Sequence, residues 1–211
     1  MIKIPPYLYP GDTIAITCPA GYMAADRATT CISTLQQWGY EVWVGKTLGN
    51  ESGNYFSGTD EERMEELQAM LDDSTIRAIL FGRGGYGLGR IIDKLDFKKF
   101  RKNPKWLIGF SDITVMHTHL LSNYRIASLH APMAGAFNVK SAVDSVLSLQ
   151  TALAGKKTSY SIPSHPFNKK GDVSGPLIGG NLALLAHVIG TVSDFDTKNK
   201  ILFIEDTGEY L

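Results

Sequence analysis

Ser111 stands where an apolar run, Trp106-Leu107-Ile108-Gly109-Phe110, gives way to a helix-like segment. A serine on a sharp strand-to-helix turn is held clear of its own backbone, so its hydroxyl can attack a carbonyl carbon. The amide of the next residue, Asp112, lies at a helix N-terminus and points to where an oxyanion would form. The motif is incomplete, because Asp112-Ile113 follows the serine where a second glycine usually stands. Read locally, the same turn is also an ordinary helix N-cap.

A second candidate is the turn Gly82-Arg83-Gly84-Gly85-Tyr86-Gly87, which follows the strand-like run Ile76–Phe81. It formally fits the dinucleotide fingerprint, but it comes after the third strand. About 20 residues on, where a ribose-binding acid belongs, stands Trp106-Leu107. A tight turn needing positive φ explains one glycine better than four. The remaining reading is a bare backbone laid open for close approach of substrate, its amides forming an anion-binding concavity. Beside a strand-end serine, that concavity would be an oxyanion hole.

These residues must be positioned by a scaffold, and the chain supplies an alternating one. Strand-like Thr13–Thr17 precedes a helical pattern over 24–38 that Gly39 caps, and Tyr40–Val44 is the next strand. Thr59-Asp60-Glu61-Glu62 reads as a capping box opening a helix through Met64, Leu67 and Leu71. Strand 76–81, the glycine turn and a helical Leu88–Leu95 follow, then strand 105–110, helix 112–123, strand Ile126–Leu129 and helix 141–154. Strands separated by helices require crossovers, so the prediction is an α/β fold, a mostly parallel sheet with helices on both faces. Ligands bind such sheets beyond the carboxyl ends of the strands. The glycine turn, Ser111 and His130 all fall on that edge. After residue 155 the pattern changes. An extended stretch and a polar linker lead to Gly179-Gly180-Asn181, read as opening a helix over 182–190, and to a last strand, Ile201–Ile204. The predicted division is 1–155 and 156–211, the latter the start of a smaller, β-rich second domain whose last strand lacks a partner.

Composition bounds the function classes. Lys plus Arg number 21, Asp plus Glu number 21, and the net charge is zero. Without a basic field, no nucleic-acid partner is expected. No apolar run approaches the roughly 20 residues of a membrane span. The N-terminus lacks the apolar core of a signal peptide, and Cys18 and Cys31 form neither a disulfide framework nor a zinc spacing. The expectation is a reduced, cytoplasmic protein with no membrane partner.

Several stretches together resemble the LD-carboxypeptidase family of serine peptidases, which includes the microcin C self-immunity peptidases. They are Gly11–Thr17, Phe56–Arg63, Arg83-Gly84-Gly85-Tyr86-Gly87, Gly109-Phe110-Ser111-Asp112, Gly179-Gly180-Asn181-Leu182 and Ile201–Asp206. The resemblance implies a flavodoxin-like N-terminal domain, a β-rich C-terminal domain and an active site between them. It implies a Ser-Glu-His triad in chain order, with Ser111 as nucleophile and Glu205 as the triad acid. The backbone amides of Asp112 and Gly85 would form the oxyanion hole. Arg83, Gly84, Tyr86, His130 and Asn181 would line the substrate site. No metal or other cofactor is implied. The substrate would be a murein tetrapeptide, losing its terminal D-amino acid in cell-wall recycling.

The family's histidine lies beyond Glu205, past the end of this sequence. A serine without a base to take its proton is a poor nucleophile, so the expectation is a truncated form with impaired activity. His117 and His119 read as helix residues and His130 as a pocket wall; His165 and His187 have no specific claim. Apolar surface near 201–204 predicts self-association, a homodimer being one form. Two rival readings stand beside the main one. One is an immunity-type peptidase acting on peptidyl or aminoacyl nucleotides. The other is a non-catalytic ligand-binding module of flavodoxin-like type.

Overall fold

Alternation of apolar side chains builds five strands into one sheet. In the computed structural model, which describes residues 2–207, these are β1 (Thr13–Thr17), β2 (Glu41–Val44), β3 (Ile76–Phe81), β4 (Trp106–Gly109) and β5 (Leu129–His130). They pair in the order β2-β1-β3-β4-β5, every pair parallel, which is the flavodoxin-like order. The helices are α1 (Thr29–Gln37), α2 (Asp60–Asp72), α3 (Lys98–Lys102), α4 (Thr114–Tyr124), α5 (Val143–Leu153) and α6 (Leu182–Val188). Ile14, Ile16, Ala78, Leu80 and Ile108 face a core closed by α1 and α5. Ala15, Ile79, Phe81 and Leu107 face a second core closed by α2, α3 and α4. The expected helices on both faces are therefore present.

Two local signals act as read. Gly39 has φ 91°, and the amides of Gly39 and Tyr40 donate to the carbonyls of Gln36 and Leu35, the double bond of a Schellman cap on α1. Thr59 and Glu62 make both hydrogen bonds of the capping box at the start of α2.

Four expectations change. Leu88–Leu95 forms two short 3-10 turns instead of an α-helix, because Gly89 weakens the helix and the amides of Gly87 and Leu88 are tied to the Asp112 carboxylate. Strand β5 starts at Leu129, since the N-terminal segment takes the residues before it: Lys3 bonds the Arg125 carbonyl and the Ala127 amide. Gly179-Gly180-Asn181 belongs to a strand, β6 (Leu177–Asn181), and Asn181 alone keeps the role of helix cap. Finally, the last strand, β7 (Ile201–Glu205), does have a partner. It pairs with β6 in parallel, Gly179 opposite Phe203 and Asn181 opposite Glu205. Glycine is required there: Gly179 and Gly180 have φ 129° and 150°, and a Cβ on either would collide with Phe203 or Thr114. Leu202, Phe203 and Ile204 remain exposed on this small sheet. Among the described residues no helix is long and apolar enough to cross a membrane.

Candidate active site

Ser111 follows the end of β4 through a backbone turn that only a braced structure holds. Phe110 is extended, and Ser111 has φ 60°, a left-handed conformation that costs a non-glycine residue on the order of 1 kcal/mol or more. Gly109 permits the turn, since a Cβ there would lie 2.8 Å from Ile113 Cγ1. The Gly109 carbonyl accepts from the Ala131 amide at 3.1 Å and from His117 Nε2 at 2.9 Å. Because a carbonyl only accepts, His117 carries its proton on Nε2, and Nδ1 accepts from the Ser128 hydroxyl at 2.8 Å. Burial pushes the His117 imidazole down to about 4. It is a neutral brace of the turn, with both nitrogens occupied.

Ser111 lines a cleft of about 270 Å³ together with Tyr55, Arg83, Gly84–Tyr86, Phe110 and Leu184. Gly84 lies directly against the serine: a Cβ there would be 3.2 Å from Ser111 Oγ and 3.3 Å from the Asp112 nitrogen. Gly85 and Tyr86 both have positive φ, 126° and 55°, and the Tyr86 ring is exposed at the mouth. Arg83 is steadied by donating to the Tyr22 carbonyl at 2.7 Å and by lying over the Tyr55 ring. Arg83, Gly84, Gly85, Tyr86, Ser111 and Asp112 thus converge on one cleft.

Asp112 does more than the sequence suggested. Its carboxylate is buried, and one oxygen accepts from the amides of Gly87 and Leu88 at 3.0 Å each. Burial raises its pKa against the lowering effect of those two hydrogen bonds. The Ser111 turn and the glycine loop are thereby fastened together by the residue next to the serine.

The other predicted residues lie apart. Glu205 ends β7 opposite Asn181; its Oε1 is buried without a hydrogen-bond partner among the described residues, and burial together with neighbouring Asp206 raises its pKa. Asn181 caps α6 through Oδ1 to the Leu184 amide, donates Nδ2 to Asp206, and gives its backbone amide to Thr114 Oγ1 at 3.0 Å. Neither lines the Ser111 cleft; Thr114, in the first turn of α4, ties β6 to that helix by accepting from the Asn181 amide. His130 lines a neighbouring cavity of about 310 Å³ with Gly179 and Phe203, its ring 6.1 Å from that of Phe110. His119 Nδ1 meets the Ser193 hydroxyl. Among the described residues no histidine lines the cleft.

A flavodoxin-like parallel sheet carrying a strained serine at the end of a central strand defines an α/β scaffold of the kind that serine hydrolases use. The description "LD-carboxypeptidase N-terminal domain" matches residues 14–131, and "LD-carboxypeptidase C-terminal domain" matches residues 174–211. The chain belongs to the LD-carboxypeptidase family. It is 35% identical over 212 residues to a Bacillus subtilis (strain 168) protein named "Probable murein peptide carboxypeptidase", covering 97% of this chain and 65% of that protein. A muramoyltetrapeptide carboxypeptidase from Oxalobacter formigenes superposes with TM-score 0.80 at 31% identity, over 91% of this chain and 65% of that one. An MccF-like protein from Bacillus anthracis superposes with TM-score 0.84 over 96% of this chain and 69% of that one; at 24% identity it shares the fold. The chain spans 65% of the length of the Bacillus subtilis relative.

Proposed function

We propose that this chain carries the nucleophile half of a serine carboxypeptidase that releases a terminal D-amino acid from a murein tetrapeptide by cleaving an L,D-peptide bond. The observation that carries the reading is that the bare Gly84 backbone lies so near the serine that a Cβ on it would press on Ser111 Oγ and the Asp112 nitrogen, among the residues lining one cleft. In this reading Ser111 Oγ attacks the scissile carbonyl carbon while the Asp112 and Gly85 amides receive the oxyanion. The amine leaves with a proton, and water then hydrolyses the acyl-enzyme. Glu205 orients and stabilises the general base that takes the serine proton. Arg83, at the cleft wall, suits a substrate carboxylate because its fork of donors matches both oxygens. Tyr86 borders the mouth; His130 and Asn181 act from beside the cleft. The relatives named murein peptide and muramoyltetrapeptide carboxypeptidase support the substrate class. The reaction belongs in the cytoplasm, where recycled murein peptides are trimmed. The exposed Leu202, Phe203 and Ile204 support self-association, and a monodisperse monomer in light scattering would count against it.

The test is D-alanine release from murein tetrapeptide by the gene product, including whatever the reading frame encodes after Leu211, with and without Ser111→Ala. A loss of about a thousandfold or more is expected; equal rates end the nucleophile assignment. Cleavage of an aminoacyl sulfamoyl nucleotide in preference to the tetrapeptide would move the substrate to the immunity type.

A further inference from the structure

We propose that Arg63 is a positioning residue: together with Asp112 it clamps the Gly87–Leu88 peptide and so sets where the glycine loop lies against Ser111. The proposal rests on the assignment of Ser111 and its loop given above. Arg63 sits in the first turns of α2, 0% exposed, with its guanidinium over the Phe56 ring. Its Nη1 donates to the carbonyls of Pro19 and Gly87, and its Nη2 to the Asp60 carboxylate. It therefore joins the segment after β1 to the end of the glycine loop. The Leu88 amide, which shares a peptide unit with the Gly87 carbonyl, donates the other way, to Asp112, and the Gly87 amide donates to the same oxygen.

One peptide unit is thus held at both its polar ends by opposite charges on two different elements. No side chain fits between them. A Cβ on Gly87 would stand 2.6 Å from Ala20 Cα and 2.9 Å from Arg63 Nη1. Burying a guanidinium is costly, and an apolar residue of similar volume often serves stability as well. What an apolar residue cannot do is fix a carbonyl's position. Arg63 does not line the Ser111 cleft, so its influence must pass through the loop. At the far end of that loop the Gly84 carbonyl accepts from the Gly21 amide at 3.1 Å. The stretch that touches Ser111 is strung between these two anchors.

The test compares Arg63→Met and Arg63→Lys by amide hydrogen exchange and by kcat and KM. In folded Arg63→Met, exchange at Gly84–Leu88 should quicken about tenfold or more while β1 and β3 keep wild-type protection. A loop misplaced by an ångström should lower kcat about a hundredfold with KM changed less than about threefold. Arg63→Lys, which keeps the charge and loses the fork, should fall between. Should Arg63→Met not fold, Asp112→Asn weakens the other arm of the clamp and reports on the same amides. Wild-type exchange at Gly84–Leu88, or protection lost evenly across the sheet, would overturn the clamp. If wild-type protein releases no D-amino acid, the functional reading fails, while the exchange pattern still decides whether the clamp exists.

Discussion

The two ends of the candidate site are built differently. Ser111 is braced from every side: Gly109 lets the backbone turn, His117 and Ala131 hold the carbonyl of Gly109, Asp112 ties in the glycine loop, and two cores flank the sheet. Glu205 ends a two-stranded sheet whose middle residues, Leu202, Phe203 and Ile204, face solvent. The first end is preorganised by buried contacts with residues far off in sequence. The second depends on a single parallel partner, β6, which Thr114 ties to α4 through Asn181. Geometry that must be held to tenths of an ångström is placed where packing is densest, and the acid arrives on a lightly packed strand.

That contrast can be broken in three ways. The largest effect should come from Gly84→Ala, whose methyl presses on Ser111 Oγ and the Asp112 nitrogen at 3.2 and 3.3 Å. Turnover should fall about a hundredfold with the unfolding midpoint in urea little changed. An unaltered kcat would mean the loop has slack. Next, Leu107→Ala, 0% exposed in the core beneath α4, should cost about 2–5 kcal/mol. Phe203→Ala on β7 should stay within about 0.5 kcal/mol. Similar losses in urea unfolding would erase the distinction between the two sheets.

The third test concerns pH. The folded-state pKa of His117 is depressed from 6.5 to about 4, so between those values the unfolded chain binds a proton that the folded one refuses. Stability should therefore fall as pH drops from 7 toward 4, by on the order of 2–3 kcal/mol from this group. Urea unfolding of wild type and His117→Gln across that range should show the variant losing less. Parallel curves would remove His117 from the account.

Much of the scaffold was legible in the sequence because it is written in local pattern. Alternating strands, the Gly39 cap, the Thr59 capping box and the serine at the end of β4 each need only a few neighbouring residues. The misread elements involve partners distant in sequence. Gly179 and Gly180 look like a helix entrance, yet they form a strand because Phe203 and Thr114 press against their backbones. Asp112 reads as an acid favouring a helix start, while its carboxylate turns to Gly87 and Leu88, more than twenty residues upstream. Arg63 stood inside a recognisable motif with no visible task until the fold brought Pro19 and Gly87 to it. His117 looked like an ordinary helical residue, and its signal was the spacing that returns α4 to the carbonyl of Gly109.

The most direct measurement is mass spectrometry of the protein after treatment with a fluorophosphonate probe. The account predicts one adduct, on the peptide bearing Ser111, absent in Ser111→Ala. D-alanine release continuing undiminished with that peptide unlabelled, or an adduct on another serine, would contradict it.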